Sequence, residues 1–225
     1  DISAGADALL ARPPLNSLAA LRGRRIGLEA NTTSSLLLAR ALEKTGLAAA
    51  DVTVVPLPLD AQQRALARGE VDAVATFEPV RSQLEQAGAR VLFDSTAMPN
   101  EIVDVLLVRQ STLEARPDDL AVLIKAWGQA QQRLARAEPA VVVQGGQRSG
   151  IAPDLFRHAL QGMRLPDLPQ NQALLASGGL LSQQVGQLGL FMTARGWLKH
   201  PFPADLVDDR LVRRASHGPQ PGDAR

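Results

Sequence analysis

Residues 31–35 read Asn-Thr-Thr-Ser-Ser, a run of amide and hydroxyl side chains. A short apolar run at 26–28 precedes it. Leu36, Leu37, Leu38, Ala41 and Leu42 follow at helical spacing, and Gly46 supplies a stop. The order predicts a strand, a polar turn and a helix start. Such a turn offers free backbone N–H groups, hydroxyl donors and the positive end of a helix dipole. That chemistry suits an anionic or strongly polar small ligand. Asn31, Thr32, Thr33 and Ser34 are therefore candidate ligand-binding residues. The same residue types also cap helices, and at this level both readings stand.

Other chemistries find little support. The chain has no cysteine, which excludes disulfides, thiolate catalysis and cysteine metal sites. His158, His200 and His217 are far apart, and no serine-hydrolase elbow, phosphate loop or dinucleotide fingerprint occurs. No cofactor and no metal are expected. Net charge is +1 and no basic stripe interleaves with aromatics, which argues against nucleic acid. Aromatics are 3% and tyrosine is absent, which argues against sugar stacking. Hydrophobic residues make up 45% of the 225, enough for one large domain or two small lobes. No apolar run is long enough to cross a bilayer. The chain opens on Asp1 with no visible signal peptide. The expectation is that one was removed or that the sequence starts inside a longer protein.

The elements that must position the turn follow in order. An apolar patch covers 6–11, then Pro13 and Pro14, then a short turn through Leu18, Ala19 and Leu21 capped by Asn16 or Ser17. Strands are predicted at 26–28, 52–55, 71–75 and 91–93. Helices are predicted at 34–44, from Asp60 as cap to Arg68, and from Pro79 to Gly88. Short apolar strands alternating with helices predict a mostly parallel α/β sheet covered on both faces. Residues 102–108 form the longest β-like run and read as a central strand. Beyond it the pattern turns helical: 117–137, 139–146, 153–162 and 180–195, with 165–169 as a loop and Trp127 on a buried stripe. The tail from 216 to 225 is expected to be disordered. One clear strand is too little sheet for the helical half, so strands are expected upstream.

Taken together, SLAALRGRRIGLE, LLLARALEKTGL, DVTVVPL, ARGEVDAVATFEP, VLFDS and IVDVLLVR, in that order, resemble one family. It is the periplasmic substrate-binding proteins of ABC importers for nitrate, taurine and alkanesulfonates, with relatives that bind thiamine pyrimidine precursors. The resemblance runs from about residue 5 to 206. It implies a two-lobe periplasmic-binding-protein-like fold (type II), ligand in the cleft, with the first lobe incomplete here. Residues 1–14 and 104–225 would form that first lobe and 23–97 the second, with crossovers near 13–22 and 98–104.

The resemblance also implies site residues. The polar turn matches the family's Gly/Ser/Thr-rich helix start. Thr76-Phe77-Glu78-Pro79 matches a second family position, where relatives often carry Trp in place of Phe77. Phe77 would pack on an apolar part of the ligand without an indole donor, or else sit in the core. Glu78 would cap its own helix or accept from a cationic ligand group. Glu29 lies at the same mouth, as a ligand contact or a solvated edge residue. Met98, Pro99 and Asn100 would return across the cleft, and Asn100 is a candidate contact.

The implied function is solute binding: a small anion or zwitterion such as a sulfonate, nitrate or taurine, delivered to an ABC permease by a monomeric protein. Its implied place is the periplasm, free or as an anchored lipoprotein. Two alternatives stand beside it. One is an enzyme on the same fold, of pyrimidine-precursor or menaquinone-pathway type. The former uses cysteine and histidine near its site, and this chain has no cysteine and no histidine before residue 158. The other is a ligand-sensing module of a larger protein.

Overall fold

The computed structural model describes residues 1–203 and 206–217. By contacts the chain divides into two units, one of residues 2–103 with 142–164, the other of Asp1, 104–141 and the described part of 165–225.

The first of these units is built on a five-stranded sheet. In chain order come β1 (Ile2–Ser3), β2 (Asp7–Ala11), β3 (Arg25–Leu28), α1 (Thr33–Thr45), β4 (Thr53–Pro56), α2 (Leu59–Arg68), β5 (Ala73–Phe77), α3 (Val80–Gln86) and β6 (Arg90–Asp94). The sheet order is β4-β3-β5-β2-β6. β3 pairs in parallel with β4 and β5, whereas β2 is antiparallel to both β5 and β6. Four strands therefore run one way and β2 runs back between them. Every residue of β2 is buried, as is expected of a strand covered on both faces.

Two layers of helix cover the sheet. Ala8, Leu10, Val71 and Val74 pack with Ala65 and Leu66 of α2 and Leu84 of α3. By alternation Asp7 and Leu9 of β2, and Ala75 and Phe77 of β5, face the other side, where α1 lies. Leu37, Leu38 and Ala41 supply the buried stripe of α1. Gly46 ends α1 in the left-handed conformation, φ 66°, that a Cβ disfavours. Asp72 fastens the far edge: its carboxylate accepts from the Arg25 backbone N–H at 2.9 Å and lies 3.5 Å from the Arg12 and Arg25 guanidinium groups. Burial alone would raise its pKa. The Arg25 amide and the two guanidiniums outweigh that and hold the carboxyl below its ordinary value.

The sequence-based elements are largely present, with informative differences. Pro58, not Asp60, is the N-cap of α2, and Asp60 sits in its first turn. The third expected strand, 71–75, is displaced to 73–77, because the 71–72 segment precedes the register in which Ala73 pairs with Ile26 and Ala11. Residues 102–108 do not form a central strand. Val103 makes one bridge to Ile2, and among the described residues 104–109 join no ladder. Leu106 and Leu107 are 59% and 79% exposed, so the apolar run lacks the packing that a central strand needs.

The rest of the chain is helical: α4 (Gln110–Ala115), α5 (Pro117–Ala135), α6 (Pro139–Ser149), α7 (Pro153–Gln161), β7 (Met163–Arg164), α8 (Leu168–Leu175), α9 (Leu180–Ala194) and α10 (Arg210–His217). α6 continues past Gly145 and Gly146 instead of fading there. A Cβ at Gly145 would collide with the Phe156 ring, so the glycines serve close packing against α7. The expected loop at 165–169 is a helix start. Asp167 accepts from the Gln170 N–H, and the Gln170 side chain accepts from the Asp167 N–H, a capping box. Trp127 is 60% exposed on α5 and is not core. Ser216 and His217 belong to α10, and the remainder of the expected tail, 218–225, lies outside the described residues.

Two stretches expected with 104–225 lie elsewhere. β2, from the 1–14 stretch, belongs to the five-stranded sheet. Residues 142–164 cluster with residues 2–103, with β7 paired antiparallel to β1.

Candidate functional site

The carboxyl ends of β3, β5 and β6 and the start of β2 form one edge of the sheet. In open α/β sheets that edge is where ligands bind. α1 begins there. Asn31 is left-handed, φ 61°, and its N–H donates to Ser35 Oγ at 3.1 Å. That turn lets Thr32 cap the helix. Its hydroxyl accepts from the Ser34 N–H at 3.3 Å and donates to the Glu29 carbonyl at 2.8 Å. Asn31 and Thr32 are thus engaged in shaping the helix start.

Thr33 and Ser34 differ from them. The exposed Thr33 donates its hydroxyl to Asp7 Oδ1 at 3.3 Å. Ser34 is 1% exposed, and its hydroxyl has no hydrogen-bond partner. It lies on the sheet-facing side of the first turn, one turn before Leu37 and Leu38. An unsatisfied buried hydroxyl costs stability.

Phe77 is half-buried at the end of β5 and stands directly opposite Asp7 in the ladder, on the α1 side. Asp7 is itself 6% exposed. The structure brings Thr33 onto Asp7 and sets Phe77 opposite that same residue, which sequence reasoning passed over, while Ser34 follows Thr33 in the first turn of α1. The signal of Asp7 was present: an acid at the head of the apolar patch DALLA.

The other candidates are engaged in contacts of their own. The Glu78 carboxylate accepts from the Ser82 N–H at 3.1 Å and from the Ser82 hydroxyl at 2.9 Å, in the first turn of α3. It acts as a helix-start acceptor. Glu29 accepts from the Leu59 N–H at 3.3 Å and does the same for α2. Met98 is 2% exposed and Pro99 exposed. Asn100 is left-handed, φ 63°, and its side-chain oxygen accepts from Arg164 at 2.6 Å, tying the return segment to β7. Its amide serves a structural contact. Among the described residues, no group of three His, Asp or Glu side chains is placed to hold a metal ion.

Known proteins resemble this chain in sequence and in fold. Over 85 residues, 37% of the chain, the sequence is 39% identical to a "Putative aliphatic sulfonates-binding protein" of Escherichia coli (strain K12). The match spans 26% of that protein, about a quarter of its length. The alkanesulfonate-binding protein SsuA from Xanthomonas axonopodis pv. citri, solved bound to MOPS, superposes with a TM-score of 0.74 at 23% identity. The match covers 92% of this chain and 71% of that one. The periplasmic aliphatic sulphonate binding protein SsuA from Escherichia coli gives 0.75 at 19% identity, with 94% and 74% covered. The desulfurization enzyme DSZB gives 0.63 at 18%, with 96% and 77% covered. These likenesses establish an α/β fold of the periplasmic-binding-protein kind, which both binding proteins and an enzyme use. More specific is the match to the NMT1-like family over residues 12–144, which runs from the end of β2 through the sheet and the polar turn into α6, more than half of the sequence, and the chain belongs to that family.

Proposed function

We propose that the chain is the solute-binding component of an ABC importer. It takes a small anionic or zwitterionic ligand, of the sulfonate class or related to it, at the edge where α1 begins. The observation that carries this reading is the first turn of α1, where the Ser34 hydroxyl is buried without a partner and the neighbouring Thr33 donates to Asp7. Free N–H groups and hydroxyls at a helix start make charge-assisted hydrogen bonds to an acidic group. The apolar ring of Phe77 would pack on the ligand's carbon chain. Identity to a sulfonates-binding protein supports the same class of ligand.

In this reading the partners are the permease subunits, the protein is a monomer, and it works in the periplasm. The glutamates at this edge accept from helix-start groups, so this reading assigns no cationic ligand group to Glu29 or Glu78. Asn31, Thr32 and Asn100 shape the site and do not read the ligand directly.

Mass spectrometry of small molecules released from purified protein tests it. A stoichiometric acid or zwitterion that rebinds in calorimetric titration is the expected outcome. A protein that releases nothing, and binds no sulfonate, carboxylate or nitrate, overturns it. A second reading, an enzyme, is favoured by the fold likeness to DSZB. Conversion of the released compound on incubation with the protein, abolished by a Ser34 or Thr33 substitution, would establish that reading instead.

A further inference from the structure

We infer that Gln62 and Thr76 together hold at least one ordered water molecule between α2 and the sheet, a buried polar site separate from the start of α1 and independent of the binding reading above. The Gln62 side chain is 0% exposed, and neither its amide oxygen nor its amide nitrogen has a hydrogen-bond partner in the protein. The Thr76 hydroxyl, also 0% exposed, has none either. Register sets the two at the same level. Side chains alternate along a strand, so Val74 and Thr76 share one face of β5. On that face Val74 packs with Ala65 and Leu66 of α2. α2 links the parallel strands β4 and β5, so it runs back against their direction. One helical turn back from Ala65 and Leu66, about 5.4 Å, lies Gln62. Two residues on from Val74, about 6.6 Å, lies Thr76. Both steps lead toward the carboxyl end of β5.

Energetics favours a wet site over a dry one. Gln62 offers two N–H donors and a carbonyl acceptor, and the Thr76 hydroxyl both donates and accepts. The rest of the layer is apolar: Ala8, Leu10 and Leu84 lie in it, with Leu57 and Val80 packed against them. It supplies no partner to either side chain. Three buried polar atoms left unpaired would consume a large part of the margin by which a folded domain is stable. A buried water typically makes about three hydrogen bonds to such groups, and it joins polar groups that stand too far apart to bond directly. Thr76 directly precedes Phe77, so this water ties the strand end that reaches the candidate site to α2.

A crystal structure of the unsubstituted full chain reads the site directly and needs no variant to fold. Water density within about 3.2 Å of the Gln62 amide and of the Thr76 hydroxyl is the expected result. A dry layer, or the two side chains bonded to each other, overturns the inference. Gln62→Met and Thr76→Val keep the side-chain size and remove the polar atoms. Each alone strips the water of a partner and should lower the melting temperature. The double substitution should cost clearly less than the two losses added, because both act on one shared water. Losses that add in full assign the two side chains to separate partners and overturn the inference. A higher melting temperature for either single variant overturns it too, since relief on removing the polar atoms shows that they were unpaired.

Discussion

At the scale of single residues, the polar turn resolves into two kinds of group. Thr32 is a cap, with its hydroxyl committed to the Ser34 N–H and the Glu29 carbonyl. Thr32→Ala should lower stability by about 0.5–2 kcal/mol and leave ligand affinity nearly intact, as thermal melts and calorimetric titration on the same protein would read. Ser34 is the reverse case. Its buried hydroxyl has no partner, so Ser34→Ala removes a cost and should leave the melting temperature unchanged or higher. If the ligand's acid group takes that hydroxyl, the same substitution weakens binding by roughly 1.5–3 kcal/mol, a tenfold loss or more. A destabilised Ser34→Ala with unchanged affinity would assign Ser34 to packing.

At the scale of elements, the segment GEVDAVATFEP runs from one end of the sheet to the other as its middle strand. Its end, Phe77 and Glu78, reaches the site, and Asp72 near its start ties β5 to β3 and to the residue after β2. The guanidiniums are about half exposed, so their pairing contributes little. The Arg25 N–H to carboxylate bond carries most of the effect. Asp72→Ala should therefore cost about 1.5 kcal/mol, the lower end for bonds to charged groups, in urea unfolding. The carboxyl's pKa is lowered on folding from an ordinary 3.8. Its contribution is therefore present above that value and is lost as pH falls through the lower folded value. The gap in stability between the unsubstituted protein and Asp72→Ala should close at acid pH. A gap that stays constant down to full protonation would show that the carboxylate charge is not what holds the edge.

At the scale of the whole molecule, the two contact units need not unfold together. Both tryptophans, Trp127 and Trp197, lie in the unit of residues 104–141 and 165 onward. Indole fluorescence therefore reports that unit, while far-ultraviolet circular dichroism reports both. Leu10 is fully buried in the sheet core, and Leu10→Ala should cost about 2–5 kcal/mol. The dichroism transition should move to lower denaturant and the fluorescence transition should stay. If both move together, the molecule unfolds as one cooperative body. Leu107, 79% exposed, gives the contrast: Leu107→Ala should change either midpoint by no more than about 0.5 kcal/mol.

The sequence by itself determined the local order of the α/β region. Apolar runs of strand length, a glycine after each of α1 and α2, and the polar turn ahead of 36–42 are signals carried by neighbouring residues, and the structure has each element within a few residues of its expected place. What only the tertiary structure decided is long-range. Whether an apolar run becomes a strand depends on a partner, so DALLA, unremarked as a strand, fills the slot between β5 and β6, while the more β-like 102–108 run joins no ladder beyond Val103. Whether a polar side chain is spent on a cap or left facing a site depends on what folds against it. Asn100 finds Arg164, and Asp7, 26 residues before Thr33 in the chain, arrives beside it because β2 runs antiparallel through the middle of the sheet.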